Sequence, residues 1–369
     1  MPEVLFVAGE ASGDLHAAGV AAELARLRPD LELAGFGGDR MEAAGVALFD
    51  RYDTGVMGFL EVLRHIPRHY ELLERIRERF RSGKVKLLVV VDYPGFNMRA
   101  AAAARDAGIP VLYYVTPQVW AWGEGRLPKL AKIITKAAVI LPFEEQLLRG
   151  HGIDATFVGH PLLDRADNLP SKQEARADLG ISDSAPVLAL FPGSRQQEID
   201  RHIDDFVASA REVERAVPGL HTVVSVAPTI SLDPARCPFK LVHSASFTVL
   251  RAADAALCKS GTTTLEASIA DCPLAVAYRT SGISYFLARL MVTIPHIGLV
   301  NVVAGREVAK EFVQDDLEPR KVAAQLQRLL DPADGERTRV LEGLAEVRGK
   351  LGTPGAALRV AQMASDLVK

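Results

Sequence analysis

Cysteine is scarce: the 369-residue chain carries three, Cys237, Cys258 and Cys272, with no CxxC pair. An odd, scattered set supports neither a disulfide framework nor a zinc site and fits a reducing cytoplasm. Long apolar runs are missing too. The most apolar stretch, YFLARLMVTIPHIGLVNVV from Tyr285, is broken by Arg289, Pro295, His296, Gly298 and Asn301. A spanning helix needs about 20 mainly apolar residues, so no transmembrane helix is expected. In the opening MPEVLFVAGEASGD, Glu3 precedes a run too short for a signal-peptide core, and a first strand is expected there. Neither sign of charge dominates. With 43 Lys and Arg against 46 Asp and Glu, the net charge of -3 gives no global pull on nucleic acid, and no such partner is expected.

Several motifs are absent as well. No Walker A sequence, HExxH, GxSxG or DxD occurs, and GFGGDRM has Gly35, Gly37 and Gly38 without a full GxGxxG. The missing DxD bears on chemistry, because neutralising a nucleotide diphosphate with a divalent ion commonly needs paired carboxylates. Helix N-termini and an arginine would then do that work, with neither metal nor cofactor. Among nine histidines, His160 and His202 lie in no ligand-spaced pair, so structural roles are expected.

What the chain does have is alternation. The short aliphatic runs VLFVA, LELAGF, KLLVVVD, VLYYV, AAVIL and TFVGH are separated by helix-like stretches such as HAAGVAAELARL. The pattern restarts after GHPLLDRADNLPSKQE with PVLALFPGS, HTVVSVAP, FKLVH, AALCKS and PLAVAY. Buried parallel strands with crossover helices look like this, and the length suits two cores, so two doubly wound α/β halves are expected. Polar residues and Pro170 place the boundary near Arg165 to Ser171.

Four turns at strand ends carry candidate chemistry. AALCKSGTTTLEA leads from a strand through a small polar turn, Lys259 to Thr264, into a helix with Glu266. Such a helix start favours phosphate, and Glu266 can accept from ribose hydroxyls, although a plain capped helix would read the same. LALFPGSRQQEI sets Gly193, Ser194 and Arg195 after the first strand of that half, where the guanidinium fork can meet a diphosphate or simply sit on the surface. In KLLVVVDYPGFNMR, Asp92 ends a strongly apolar strand and can take a proton from a hydroxyl or merely cap the turn. AGEASGDLH offers Glu10, Ser12 and Asp14 to a polar ligand, or only an N-capped turn. The stretch Val56 to Lys86, apolar then basic, has the pattern of an interfacial helix, though a core-facing helix with a solvated basic face is the favoured reading of these residues alone. Trp120 and Trp122 in TPQVWAW either line a cleft or cement a core.

Taken together, AGEASGD, VMGFLEVL, DYPGFN, YYVTPQVWAW, LPFE, FVGHPLLD, FPGSR, KSGTTTLEA and NVVAGREVAKEFVQ resemble lipid-A-disaccharide synthase nearly end to end. The resemblance implies a GT-B fold, two Rossmann-like domains facing across a cleft. Residues 1–168 would bind acceptor and 169–345 a UDP-sugar, while helices in 346–369 pack back on the first domain. It implies an inverting transfer from UDP-2,3-diacylglucosamine to 2,3-diacylglucosamine 1-phosphate, releasing UDP. Asp92 takes the family's general-base position and Arg195 its essential arginine. Gly193, Ser194, Ser260, Gly261, Thr262, Thr264, Glu266, Asn301, Arg306 and Glu307 would hold the donor with Arg195. Glu10, Ser12, Asp14, Asn97, Met57 and Trp120 would face the acceptor. The resemblance also implies peripheral attachment to the inner face of the cytoplasmic membrane, which shifts the Val56 to Lys86 stretch toward membrane contact; a homodimer stays open. The chain departs from the family's LPN at Leu299, Val300 and Asn301 and in IPHIG. Alternatives are a UDP-N-acetylglucosamine 2-epimerase, a GT-B N-acetylglucosaminyltransferase with a polyprenyl acceptor, and a non-catalytic UDP-sugar sensor.

Overall fold

The computed structural model describes the chain except residues 53–58, 123, 228–229, 244, 283–284, 286–293 and 369, with backbone alone at 59–66, 122, 124 and 167–168. The aliphatic runs form two parallel sheets. The first has seven strands: β1 Glu3–Ala8, β2 Glu32–Gly37, β3 Ala47–Arg51, β4 Val85–Val91, β5 Val111–Tyr114, β6 Lys136–Val139 and β7 Ala155–Phe157. The second has six: β8 Val187–Phe191, β9 His221–Val226, β10 Lys240–His243, β11 Ala255–Lys259, β12 Leu274–Tyr278 and β13 Glu311–Val313. Leu87 to Val91 and Val187 to Leu190 are wholly buried, because helices cover both faces of each sheet.

The strand orders β3-β2-β1-β4-β5-β6-β7 and β10-β9-β8-β11-β12-β13 reverse between β1 and β4 and between β8 and β11. Ala8 pairs with Val91 at the first reversal and Phe191 with Cys258 at the second. Ligands of open α/β sheets bind beyond the carboxyl ends of strands at such reversals. All four candidate turns of the sequence begin there.

The chain divides into two units, residues 1–164 with 351–369, and residues 165–350. The helix Gly335–Lys350 belongs to the second unit, so the return to the first comes at Leu351. There the helix Ala356–Leu367 sets Val360, Ala361 and Ala364 in one cluster with Ala17, Val20, Ala21 and Leu24. Gly19 permits the approach: a Cβ on it would lie 3.3 Å from that of Ala357.

The described part of the helix Phe59–Arg81 is core-facing. Leu72, Leu73, Ile76 and Phe80 are buried, while Arg75 pairs with Asp50 at 2.8 Å and Arg79 with Glu3 at 2.8 Å. Arg68, Arg75, Arg77 and Arg81 lie on its exposed side, a core-facing helix with a solvated basic face, while the side chains of the apolar start, Val56 to Leu63, lie outside the described residues. Among the described residues no helix is long and apolar enough to cross a membrane. All three cysteines are buried as free thiols.

Candidate active site

In the second unit the turns after β8 and β11 wall a cavity of about 340 Å³, completed by Ser225 to Ala227 and by Ala245 and Ser246. Gly193 opens the first turn at φ 143°, and a Cβ there would lie 2.6 Å from Cβ of Glu198, so only glycine fits. Ser194 follows, and its N–H donates to Glu198 Oε2 at 3.0 Å. Arg195 is the N-cap of the helix Gln196–Ala216, and its side chain is exposed. That start is the positive end of a long helix dipole, which favours an anion. In the second turn Ser260, Gly261 and Thr262 line the cavity with Lys259, Thr263 and Glu266. The Ser260 hydroxyl donates to Ile297 O at 2.7 Å, which leaves its lone pairs for a ligand.

Glu266 lies on the cavity wall, 9% exposed. Burial raises its pKa, opposed by a hydrogen bond from Ser246 and by the Arg165 guanidinium 3.8 Å away. Glu198 and Lys259 pair across the cavity at 2.8 Å. Burial pushes the Glu198 carboxyl up, but Lys259 and the Ser194 N–H outweigh it and hold it below its ordinary value.

Four residues expected at the donor do other work. Thr264 is fully buried, its hydroxyl donating to Gly261 O at 2.9 Å and accepting from Val300 N–H at 3.3 Å. Asn301 is fully buried as well. Its amide nitrogen donates to Ala309 O and Glu311 Oε1, and its oxygen accepts from Val308 and Ala309 N–H, so every capacity is used in shaping the following loop. Arg306 is exposed and pairs with Glu346 at 2.6 Å, and Glu307 gives its carbonyl to Arg339; neither lines the cavity.

In the first unit Asp92 and Tyr93 follow β4 with φ 49° and 47°, two consecutive left-handed residues without a glycine. Such strain marks functional sites when the surroundings enforce it. Here they do. The Asp92 carbonyl accepts from Tyr113 Oη at 2.9 Å and Asn97 Nδ2 at 2.7 Å, and its N–H donates to Tyr114 O. The Tyr93 ring lies on Gly9, where a Cβ would come within 2.2 Å of it, and Tyr93 Oη is 2.8 Å from His69 Nε2. The Asp92 backbone is thereby fixed at the strand end.

The expected acceptor residues divide. Glu10 and Ser12 stand at the end of β1, joined by a 3.1 Å hydrogen bond. Asn97 is wholly buried and faces Val91 O and Asp92 O, which makes it a support for Asp92 instead of an acceptor contact. Asp14, 2% exposed, accepts from the N–H groups of Gly38, Arg40 and Met41 and caps the helix Asp39–Ala43. Trp120 is packed inside, donating to Glu144 Oε1 at 3.0 Å and meeting Phe143 edge-on at 5.3 Å. Met57 lies outside the described residues. Sequence reasoning did not single out Glu198, Ser246, Tyr93, His69 or Tyr113. The one usable signal was an acidic residue in the first turn after a phosphate-competent turn, at Glu198.

Two doubly wound parallel sheets, each with candidate groups at its reversal point, place the chain in the GT-B class. It is similar to the crystal structure of Acinetobacter baumannii MurG, with TM-score 0.60 at 14% identity over 99% of this chain and 100% of that one. It is likewise similar to the UDP-GlcNAc 2-epimerase of Neisseria meningitidis bound to UDP-GlcNAc, with TM-score 0.62 at 14% identity over 99% and 98%. At such identities the likeness carries the fold alone. The sequence profile described as lipid-A-disaccharide synthetase matches residues 4–345. The lipid-A-disaccharide synthase of Myxococcus xanthus (strain DK1622) is 41% identical over 375 residues, covering 100% of this chain and 98% of that protein. That of Syntrophus aciditrophicus (strain SB) is 38% identical over 377 residues, covering 99% and 98%. The chain belongs to the lipid-A-disaccharide synthetase family, and its activity is that of a glycosyltransferase of lipid A biosynthesis.

Proposed function

We propose that the second unit holds the UDP of a UDP-2,3-diacylglucosamine donor in the cavity between the β8 and β11 turns, and that Asp92 of the first unit is the base for a 2,3-diacylglucosamine 1-phosphate acceptor. The observation that carries this reading is the cavity itself, lined by Gly193 and Ser194 of one turn and Ser260 to Thr262 of the other, small residues at a sheet reversal beside the start of the helix Gln196–Ala216. Glu266 accepts from the ribose hydroxyls, and Arg195 faces the charge growing on the departing diphosphate. Asp92 takes the proton of the acceptor hydroxyl as its oxygen attacks the anomeric carbon from the side opposite UDP, inverting the configuration. Glu10 and Ser12 orient the acceptor. Both proposed substrates carry acyl chains, which supports a reaction at a membrane surface, and the inner face of the cytoplasmic membrane is the side we propose.

One experiment tests both halves of the reading, following UDP release from donor and acceptor together with UDP and uridine affinities. Asp92→Asn is expected to lower turnover by about 10²-fold or more with UDP affinity within about twofold of wild type. Glu266→Gln, which trades a charged acceptor for a neutral one, is expected to weaken UDP and uridine alike by about fivefold. Donor isomerisation without acceptor, or UDP and uridine affinities indifferent to Glu266→Gln, would sink the reading.

A further inference from the structure

The donor cavity contains a cation that the reading above gives no task. Lys259 ends β11, and its ammonium sits 2.8 Å from Glu198 Oε1 and 4.0 Å from the point a Cβ on Gly261 would occupy. The other oxygen of Glu198 accepts from the Ser194 N–H. A single ion pair therefore ties the turn after β8 to the turn after β11, at the strand reversal. Both side chains are about four-fifths shielded, at 18% and 19% exposure, so this is not a solvated surface pair of negligible consequence.

Its foundation is fixed. His202, one turn along from Glu198, lies within 2.7 Å of Glu198 O through Nδ1, and its Nε2 accepts from Arg279 N–H at 2.9 Å, which sets a neutral ring with the proton on Nδ1. The same ring packs 6.0 Å from that of Tyr278, over which the Lys259 ammonium lies at 5.8 Å. An ammonium has three N–H donors, and Glu198 occupies one. Lys259 lines the cavity, so the others are within reach of a ligand between the turns. A lone carboxylate would repel a diphosphate there. Paired with Lys259 that charge is cancelled, which removes its repulsion of a diphosphate and leaves Glu266 as the carboxylate for the ribose hydroxyls.

We propose that Lys259 contacts the diphosphate of the departing UDP and that Glu198 is a positioning residue, holding that ammonium and the Ser194 N–H on either side of it. The inference rests on the donor-cavity reading. As the bond from the anomeric carbon to the β-phosphate oxygen breaks, its electron pair stays on that oxygen and the Lys259 N–H groups stabilise the new charge. The acceptor oxygen forms the replacing bond, and its proton goes to Asp92. A preorganised ammonium at a developing phosphate charge does the work a divalent ion would otherwise do.

The test uses the full chain, with UDP titrated by calorimetry and uridine by ligand-observed NMR. Lys259→Met is expected to weaken UDP by about 10- to 100-fold, the size of a lost hydrogen bond between charged groups, with uridine within about twofold of wild type. Lys259→Arg is expected to recover most of the loss. Glu198→Gln is expected to change UDP affinity in the wild-type background and not in Lys259→Met, because a residue acting through another is non-additive with it. UDP affinity unchanged in Lys259→Met, equal loss of UDP and uridine, or additive effects of the two substitutions would each overturn the inference. The nucleoside end provides the separation: a uridine response to Glu266→Gln with no UDP response to Lys259→Met removes Lys259 and leaves the cavity reading standing.

Discussion

Two left-handed residues in a row, Asp92 and Tyr93, cost on the order of 1–3 kcal/mol each, and the surrounding hydrogen bonds and the seat of Tyr93 on Gly9 hold them there. Glu144 is a second residue kept under stress. Burial pushes its carboxyl up to about 7, while the hydrogen bond from Trp120 and the N–H of Leu141 pull it back. The unfolded chain ionises this group near 4.5, so the folded state binds the proton more tightly. The stability this confers is complete below the unfolded value and is lost as pH rises through 7, with a slope of at most about 1.4 kcal/mol per pH unit. Urea unfolding at about pH 5 and about pH 8 is expected to show the wild type losing a few kcal/mol that Glu144→Gln does not lose. Equal pH dependence of the two proteins would mean the carboxyl titrates normally.

At the scale of elements, the capping of the helix Ala356–Leu367 is supplied from far away in sequence. Asp164 accepts from Gly355 N–H at 2.5 Å and from Ala356 N–H at 3.3 Å. Asp164→Ala is expected to cost about 1 kcal/mol, the usual loss for an N-cap, and to speed hydrogen exchange of the amides in that helix before others. Unchanged exchange there would show the helix to be held by its packing on Ala17, Val20 and Ala21 alone. The same long reach explains what the sequence withheld. Strands buried on both faces announce themselves as apolar runs, so the inner strands of both sheets were legible, as were the small residues of the Gly193 and Gly261 turns; the edge strands β3 and β13, half-buried and carrying Asp50, Arg51 and Glu311, were not. The Glu198–Lys259 pair was not, because its members are 61 positions apart and neither sits in a pattern specific to pairing. Asp14, Asn97 and Asn301 read as ligand contacts because carboxylates and amides serve caps and ligands with the same atoms. Only their partners, Gly38, Asp92 and Ala309, distinguish the roles.

For the molecule as a whole, the relevant fact is that residues 1–164 with 351–369 and residues 165–350 each enclose a complete sheet. Leu88 in β4 and Leu190 in β8 are both wholly buried, each in its own unit. Units with separate cores need not unfold together. Scanning calorimetry is expected to resolve two transitions. Leu88→Ala should lower one and Leu190→Ala the other, each by about 2–5 kcal/mol of local stability. A ligand stabilises what binds it, so UDP at about 100 times its Kd adds about 2.7 kcal/mol to the binding unit alone. If the donor cavity lies in residues 165–350, UDP lifts the transition that Leu190→Ala lowers and leaves the other where it was. A UDP-dependent rise in the transition lowered by Leu88→Ala would put the nucleotide on the first unit. A single transition moved by both substitutions and by UDP would mean the units unfold as one.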